Sequence, residues 1–277
     1  MKIAICGLGV MGKNHLRVSK KLGFEITSTY DPLEDNDYDF FIKTLVNCDS
    51  LVISNPTKYH TKTILDAKNI NKNLKILCEK PICENTEDPF LGELEKYESS
   101  IVVGQIERFN PVVQKLIQTI STKNIEIIQV KTKRINNVPS REKIDCKKDI
   151  GIHDIDFSCF LCKDIPEKIQ TLSTENKHHE TMVYKINKTH VINEISWLYP
   201  YKERTFEILT TDGVFLGNFY KQELKFIDWS GEQIEIPVEK IEPLINEHMH
   251  LKKMVTDNEK PIVSISQNIK LLKLMGY

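Results

Sequence analysis

The chain lacks long apolar runs. No segment approaches the roughly 20 consecutive apolar residues that a membrane-spanning helix needs, and the mean hydropathy is −0.33, so no membrane partner is expected. It also lacks an excess of charge of either sign: 38 Lys and Arg face 39 Asp and Glu, for a formal net charge of −1. Nucleic acid as the main partner calls for a basic surface, and the charge balance argues against it. The local cluster Lys131, Lys133 and Arg134 reads as a solvated strand face, with an anionic substrate group as the alternative. A disulfide or metal pattern is missing too. The seven cysteines, Cys6, Cys48, Cys78, Cys83, Cys146, Cys159 and Cys162, are odd in number and irregular in spacing, unlike a secreted disulfide framework. Cys159 and Cys162 form one C-x-x-C without the second pair a zinc site needs. The pairs His178/His179 and His248/His250 also lack ligand context, so no metal is expected. The start, Met-Lys-Ile-Ala-Ile-Cys-Gly, breaks its apolar run with glycine where a secretory leader would continue, and a cytoplasmic protein is expected. Repeats, low-complexity tracts and long linkers are absent as well.

What is present is a strand–helix alternation. Residues 2–6, 24–30, 49–54, 75–78 and 101–103 read as short buried strands. Helical patterns cover 13–22, 40–47, 58–69 and 87–97. Such alternation predicts a parallel sheet with helices on both faces. Ligands of such sheets sit outside the carboxyl ends of the strands, which singles out the turns Gly7–Gly12, Asp31, Asn55–Thr57, Glu79–Pro81 and Gly104–Arg108. After about residue 110 the pattern changes. A helix over 112–119 leads to a strand over 126–134, and 150–162 reads as helix. From about 168 to 236, segments alternate or are β-branched and aromatic, the signature of an antiparallel sheet. The tail, 243–255 and 264–275, returns to helix.

Three motifs carry chemistry. Gly7, Leu8, Gly9, Val10, Met11 and Gly12 form a G-x-G-x-x-G that follows a strand and opens a helix, the context that makes the pattern meaningful. The helix N-terminus then offers N–H donors to a pyrophosphate. Asp31 lies 19 residues beyond Gly12; its carboxylate suits a ribose diol and repels a 2′-phosphate, so NAD is favoured over NADP. The second motif is Glu79-Lys80-Pro81 at a strand end. Taken alone Lys80 reads as a surface lysine; its place at a strand end makes the other reading equal, in which its ammonium stabilises an alkoxide. The third is Asp149-Ile-Gly-Ile-His153-Asp154-Ile-Asp156. A helix beginning near Gly151 sets Asp149 and His153 about one turn apart, and a histidine suits removal of an alcohol proton. Asp149 would orient it or bind a neighbouring hydroxyl. A buried structural histidine is the alternative.

In this order and spacing the motifs resemble the Gfo/Idh/MocA family of nicotinamide-dependent sugar oxidoreductases. The matching pieces are residues 7–15, Asn-Pro-Thr-Lys-Tyr-His (55–60), Glu-Lys-Pro (79–81), Arg-Phe-Asn-Pro (108–111) and residues 149–156. The resemblance implies an α/β fold class: an N-terminal Rossmann doubly wound parallel sheet, placed here at 1–108, plus a C-terminal α+β domain with a mostly antiparallel open sheet at 109–277, whose last helix packs back on the first domain. It implies Lys80, Asp149 and His153 as the catalytic set. Asn55, Pro56, Thr57, His60 and Glu79 would line the cofactor beside the glycine loop. Gln105 and Arg108 would lie near nicotinamide and substrate, and Asn110 with the substrate. Residues 104–113 look most like the UDP-N-acetylglucosamine 3-dehydrogenase group, which oxidises a sugar C3 hydroxyl, often ahead of an aminotransferase. The segment Arg134 to Arg141 occupies the place of a substrate loop there; its two arginines would meet a diphosphate, with solvated arginines as the equal alternative. The open sheet implies a homo-oligomer. The sequence departs from the pattern at Cys146-Lys147-Lys148, where glycine is usual, and at Gln105, where histidine is expected in this group. A keto-sugar nucleotide reductase, or a non-catalytic sensor of NAD and a sugar nucleotide, are the alternative readings.

Overall fold

The computed structural model describes residues 1–34, 37–137 and 146–277. The chain forms two compact units: Met1–Gln105 with Glu242–Tyr277, and Ile106–Ile241.

The first unit is built on five strands. They are β1 (Lys2–Cys6), β2 (Glu25–Tyr30), β3 (Ser50–Ile53), β4 (Lys75–Glu79) and β5 (Ile101–Gly104), interleaved with the helices α1 (Val10–Lys21), α2 (Tyr38–Thr44), α3 (His60–Ile70) and α4 (Leu91–Leu94). All neighbours run parallel in the order β2-β1-β3-β4-β5. Chain order reverses on either side of β1, where open α/β sheets bind their ligands. The centre of the sheet is apolar on both faces: Ile3, Ala4, Ile5, Leu51, Val52, Ile53, Ile76, Leu77, Val102 and Val103 have no exposed surface. That explains why these strands read as continuous apolar runs rather than alternating ones. The expected helix over 87–97 shrinks to α4, one turn continued by a 3₁₀ segment over Glu95–Ser100. Asn85 and Asp88 hold the preceding chain in turns by accepting from the backbone N–H two residues on, a local alternative to the helix.

The second unit opens with α5 (Pro111–Lys123) and β6 (Ile127–Asn137), then α6 (Ile152–Cys162). Seven strands follow: β7 (Ile169–Ser173), β8 (His179–Ile186), β9 (Thr189–Ser196), β10 (Leu198–Thr210), β11 (Gly213–Asn218), β12 (Glu223–Asp228) and β13 (Gln233–Ile236). The sheet order is β13-β12-β11-β10-β6-β9-β8-β7. It is antiparallel except for β6 against β9, a pairing the alternation over 168–236 does not announce. One face packs on helices through Phe157, Phe206 and Phe219, whose ring centroids are 5.0–5.3 Å apart. The chain then returns to the first unit with α7 (Pro243–Thr256) and α8 (Ile265–Met275).

Candidate active site

In the first unit the glycine loop is shaped by contact and by approach. Gly7 has φ +93°, and a Cβ there would lie 2.4 Å from Asn55 N. At Gly12 a Cβ would lie 1.8 Å from the Gly7 carbonyl oxygen. Both positions exclude a side chain because the loop packs on itself and on the turn after β3. Gly9 is different, since a Cβ there meets nothing within 4 Å. No protein atom requires that glycine, and the space beside it is open to a group approaching the loop. Gly9 caps α1 with no side-chain hydrogen bond, and the first turn carries no acidic residue. Its N–H groups therefore remain available to an anion. Val10 is 82% exposed beside them.

The ends of β2 and β3 continue this surface. Asp31 accepts hydrogen bonds from Leu8 N–H at 2.6 Å and from Leu33 N–H at 2.9 Å, which fixes its carboxylate against the glycine loop. A cavity of about 360 Å³ is lined by Tyr30, Tyr38, Asn55, Pro56, Tyr59 and Lys62, among others. Asn55 donates to Thr63 Oγ1 at 3.1 Å, while its own Oδ1 is buried without a partner among the described residues. Thr57 opens a short 3₁₀ turn there. A nicotinamide dinucleotide suits these features: open N–H donors for its pyrophosphate, aromatic walls for its adenine and an orphaned acceptor for a hydroxyl. His60, expected to line the cofactor, is buried, and its ring nitrogens face Asn55 O at 2.8 Å and Pro81 O at 2.9 Å. It ties the turn after β3 to the turn after β4. Gln105 is also buried, with neither amide atom partnered among the described residues.

Lys80 follows β4 and precedes Pro81 through a cis peptide bond. Beneath it lies a group the sequence reading missed. His15 Nε2 lies 2.9 Å from Glu79 Oε1, and His15 Nδ1 lies 2.9 Å from His248 Nε2. His248 Nδ1 is 3.4 Å from Ser19 Oγ. Glu247 lies alongside with 1% exposure, and neither oxygen has a hydrogen-bond partner among the described residues. Burial pushes both carboxyls toward neutrality. For Glu79 this is outweighed by the His15 hydrogen bond and by the charges of His15 and Lys80, so its pKa falls below the ordinary value. Glu247 has no such help, and burial with the neighbouring Glu79 charge pushes it well above the carboxylate range. Burial and His15 press His248 down to about 3. A carboxylate at Glu79 accepts only, so His15 Nε2–H donates to it. One ligand atom each from His15, Glu79 and Glu247 lie within 4.8 Å of one another, the one grouping among the described residues with the donor set for a metal. The signal was readable: Leu244, Glu247, His248, Leu251 and Met254 fall on one buried helical stripe, so an acid occupied a core position.

In the second unit Asp149 and His153 flank a change of helix type. Lys147–Gly151 is a π turn that runs directly into α6. Such turns occur often at functional sites. Both side chains are half-buried, with the His153 Nδ1 edge inward. The arginines assigned to substrate behave differently. Arg108 grips Asp156 with two hydrogen bonds, at 2.9 and 2.7 Å. Arg134 donates to Asp154 at 2.7 Å and to Glu107 at 2.8 Å. Burial pulls the Arg134 pKa down, but the two carboxylates outweigh it and hold the guanidinium above its ordinary value. Both arginines are at most 5% exposed, so these guanidinium groups are committed to their own unit. Lys131 and Lys133 lie on the opposite sheet face, paired with Glu207 and Glu203. The solvated face expected for the trio holds for the two lysines only, because successive strand residues point to opposite sides. Asn110 caps α5, accepting from Val112 N–H at 3.3 Å, and donates to Glu107 and to the Phe219 carbonyl. Arg141 lies outside the described residues.

No protein-family model matches the chain, and no curated protein matches it. Solved structures do. UDP-N-acetylglucosamine 3-dehydrogenase GnnA from Acidithiobacillus ferrooxidans is similar with a TM-score of 0.87 at 18% identity, over 99% of this chain and 95% of that one. The dehydrogenase MviM from Clostridium difficile gives 0.81 at 17% identity, over 99% and 97%. An oxidoreductase from Agrobacterium radiobacter, solved with NAD+, L-tartaric acid and magnesium, gives 0.79 at 15% identity, over 99% and 94%. The likeness runs the length of the chain, through the parallel sheet and the larger mixed one, and the chain shares the fold of these dehydrogenases.

Proposed function

We propose that the chain oxidises a sugar hydroxyl with NAD as oxidant, and that its substrate is the C3 hydroxyl of a UDP-N-acetylhexosamine. The observation that carries the cofactor half is Gly9: a glycine that no protein atom demands, at an uncapped helix N-terminus beside an aromatic-lined cavity. The carboxylate of Asp31, fixed at the end of β2 against the glycine loop, favours a ribose diol over a 2′-phosphate and hence NAD over NADP. The unpartnered amide of Gln105 and the Asn55 oxygen are further cofactor contacts in this reading. The substrate half rests on the likeness to the UDP-N-acetylglucosamine 3-dehydrogenase over nearly the whole of both chains.

NAD, when bound, supplies the hydride acceptor. The chain supplies the proton chemistry and the charge. On the first unit, Lys80 Nζ stabilises the developing oxyanion. Its backbone N–H donates to Glu79 Oε2 at 3.2 Å, so the lysine turn is anchored to the buried carboxylate. On the second unit, His153 takes the hydroxyl proton. Asp149, on the π turn that runs into α6, orients the ring or the sugar. A homo-oligomer formed through the open sheet, a cytoplasmic setting and an aminotransferase acting on the product belong to the same reading.

The test is absorbance of the reduced cofactor with NAD and a panel of UDP-sugars, UDP-N-acetylglucosamine first. A rise that is lost in Lys80→Ala supports the assignment. In His153→Ala we expect kcat to fall by about 10²–10⁴ with NAD affinity unchanged; a normal rate would remove His153 from the reaction.

A further inference from the structure

The helix-facing side of the second sheet carries a guanidinium that forms no salt bridge among the described residues. Arg204 on β10 stands directly opposite Arg134 on β6. Directly opposed residues of an antiparallel pair project from the same face, so Arg204 shares the face from which Arg134 reaches Asp154. Asp154 and Glu107 are both taken by Arg134. Glu203, next in sequence, turns to the other face and pairs with Lys133 at 3.4 Å. No carboxylate among the described residues pairs with Arg204, which is half-buried. Burial and the adjacent Arg134 push its pKa below the ordinary arginine value. It is a guanidinium that feels the charges of Glu107 and Asp154 without a salt bridge to either.

The strand delivers a second cation to the same place. Leu198 faces Asn137 and Glu203 faces Ile135, so β10 bulges between them. Bulges re-aim side chains and gather beside binding sites. Within this one, Lys202 Nζ lies 4.6 Å from the centroid of the Tyr220 ring. Lys202 is held below its ordinary pKa by partial burial and by Arg204 and Arg134. Tyr220 is 70% exposed, so the group opens to solvent and not into the core. Two cations and a phenol match the two charges and several acceptor oxygens of a diphosphate diester, with the arginine fork for one phosphate and the lysine point charge for the other.

We propose that Lys202, Arg204 and Tyr220 receive the diphosphate of a nucleotide-linked substrate, an assignment that rests on the sugar-nucleotide reading above. The test is calorimetric titration of the protein, saturated with NAD so that the glycine loop is filled, with UDP, inorganic pyrophosphate and uridine. UDP and pyrophosphate should bind, uridine far more weakly, and UDP affinity should fall as salt rises. Arg204→Ala and Lys202→Met should each weaken UDP by about tenfold or more while NAD affinity holds. Lys202 is exposed, so its replacement tests the site even where Arg204→Ala disturbs folding. UDP binding equally well to wild type and to both variants, or binding no better than uridine, overturns the proposal. No hydride moves in this experiment. A protein that binds UDP through Arg204 yet reduces no NAD keeps the anion site and sinks the dehydrogenase reading. A protein that oxidises a UDP-sugar with unchanged KM in Arg204→Ala sinks the anion site alone.

Discussion

The two units bury charge in opposite ways. In the second unit Arg134, Asp154 and Glu107, and Arg108 with Asp156, are closed sets in which every cation meets a carboxylate at 2.7–2.9 Å. In the first unit Glu79 and Glu247 lie near each other, the histidine chain bonds Glu79 alone, and the Glu247 side chain has no hydrogen bond to any described residue. A closed set is architecture: ionic, rigid, and costly only when one member is removed. An open set holds a proton where a partner would otherwise stand. The open set lies under Lys80, the residue proposed to handle charge during reaction. The closed sets hold α6 and the first turn of the second unit in place.

Removing one member of a closed set should produce the largest effect. Arg134→Met leaves Asp154 and Glu107 buried without their cation, and breaking a buried pair in this way costs about 3–5 kcal/mol. Urea unfolding measures it. A variant that unfolds with wild type would mean that the network is not structural, and Arg134 would return to the substrate. Next in size is a pair of glycine changes. Gly12→Ala forces a Cβ to 1.8 Å from the Gly7 carbonyl, so it should lower both stability and NAD affinity. Gly9→Ala meets no protein atom, so the melting temperature should stay and NAD affinity should fall. Unchanged NAD affinity in Gly9→Ala would break the argument that the loop is shaped by a ligand.

Much of this was legible in the chain itself. Gly7–Gly12, Asp31, Lys80 and His153 stand at the strand and helix ends where the pattern put them, because a glycine loop or a strand end is a local feature. The roles of Arg108 and Arg134 were not legible. Whether a strand arginine is solvated or paired depends on which parity faces the helices, and on Asp154 and Asp156, which lie 20 or more residues away along the chain. Asn110 before Pro111 is an ordinary N-cap signature, and its capping role could have been read directly. The β6–β9 pairing joins distant segments and leaves no trace in a period-two pattern. Arg204 went unnoticed because its significance is a missing partner, which only three-dimensional accounting exposes.

The smallest effect, and the one that most directly sharpens the contrast between open and closed sets, depends on pH. The pKa of Glu247 in the fold stands well above its ordinary value, first through burial and then through Glu79. A group raised in this way contributes stability that is complete below the unfolded-state pKa, about 4.3 for glutamate. That contribution is lost progressively as pH rises toward the folded value, because the unfolded chain then releases the proton first. Glutamine keeps the shape and has no proton to release. Stability measured by denaturant titration across pH should therefore show Glu247→Gln and wild type on parallel courses in acid, with the variant gaining steadily from about pH 5 upward. The opposite slope, wild type gaining as pH rises, would mean that Glu247 is ionised in the fold. Two buried carboxylates beside a neutral His248 would then need a cation, and the His15, Glu79 and Glu247 donors would be a closed set after all.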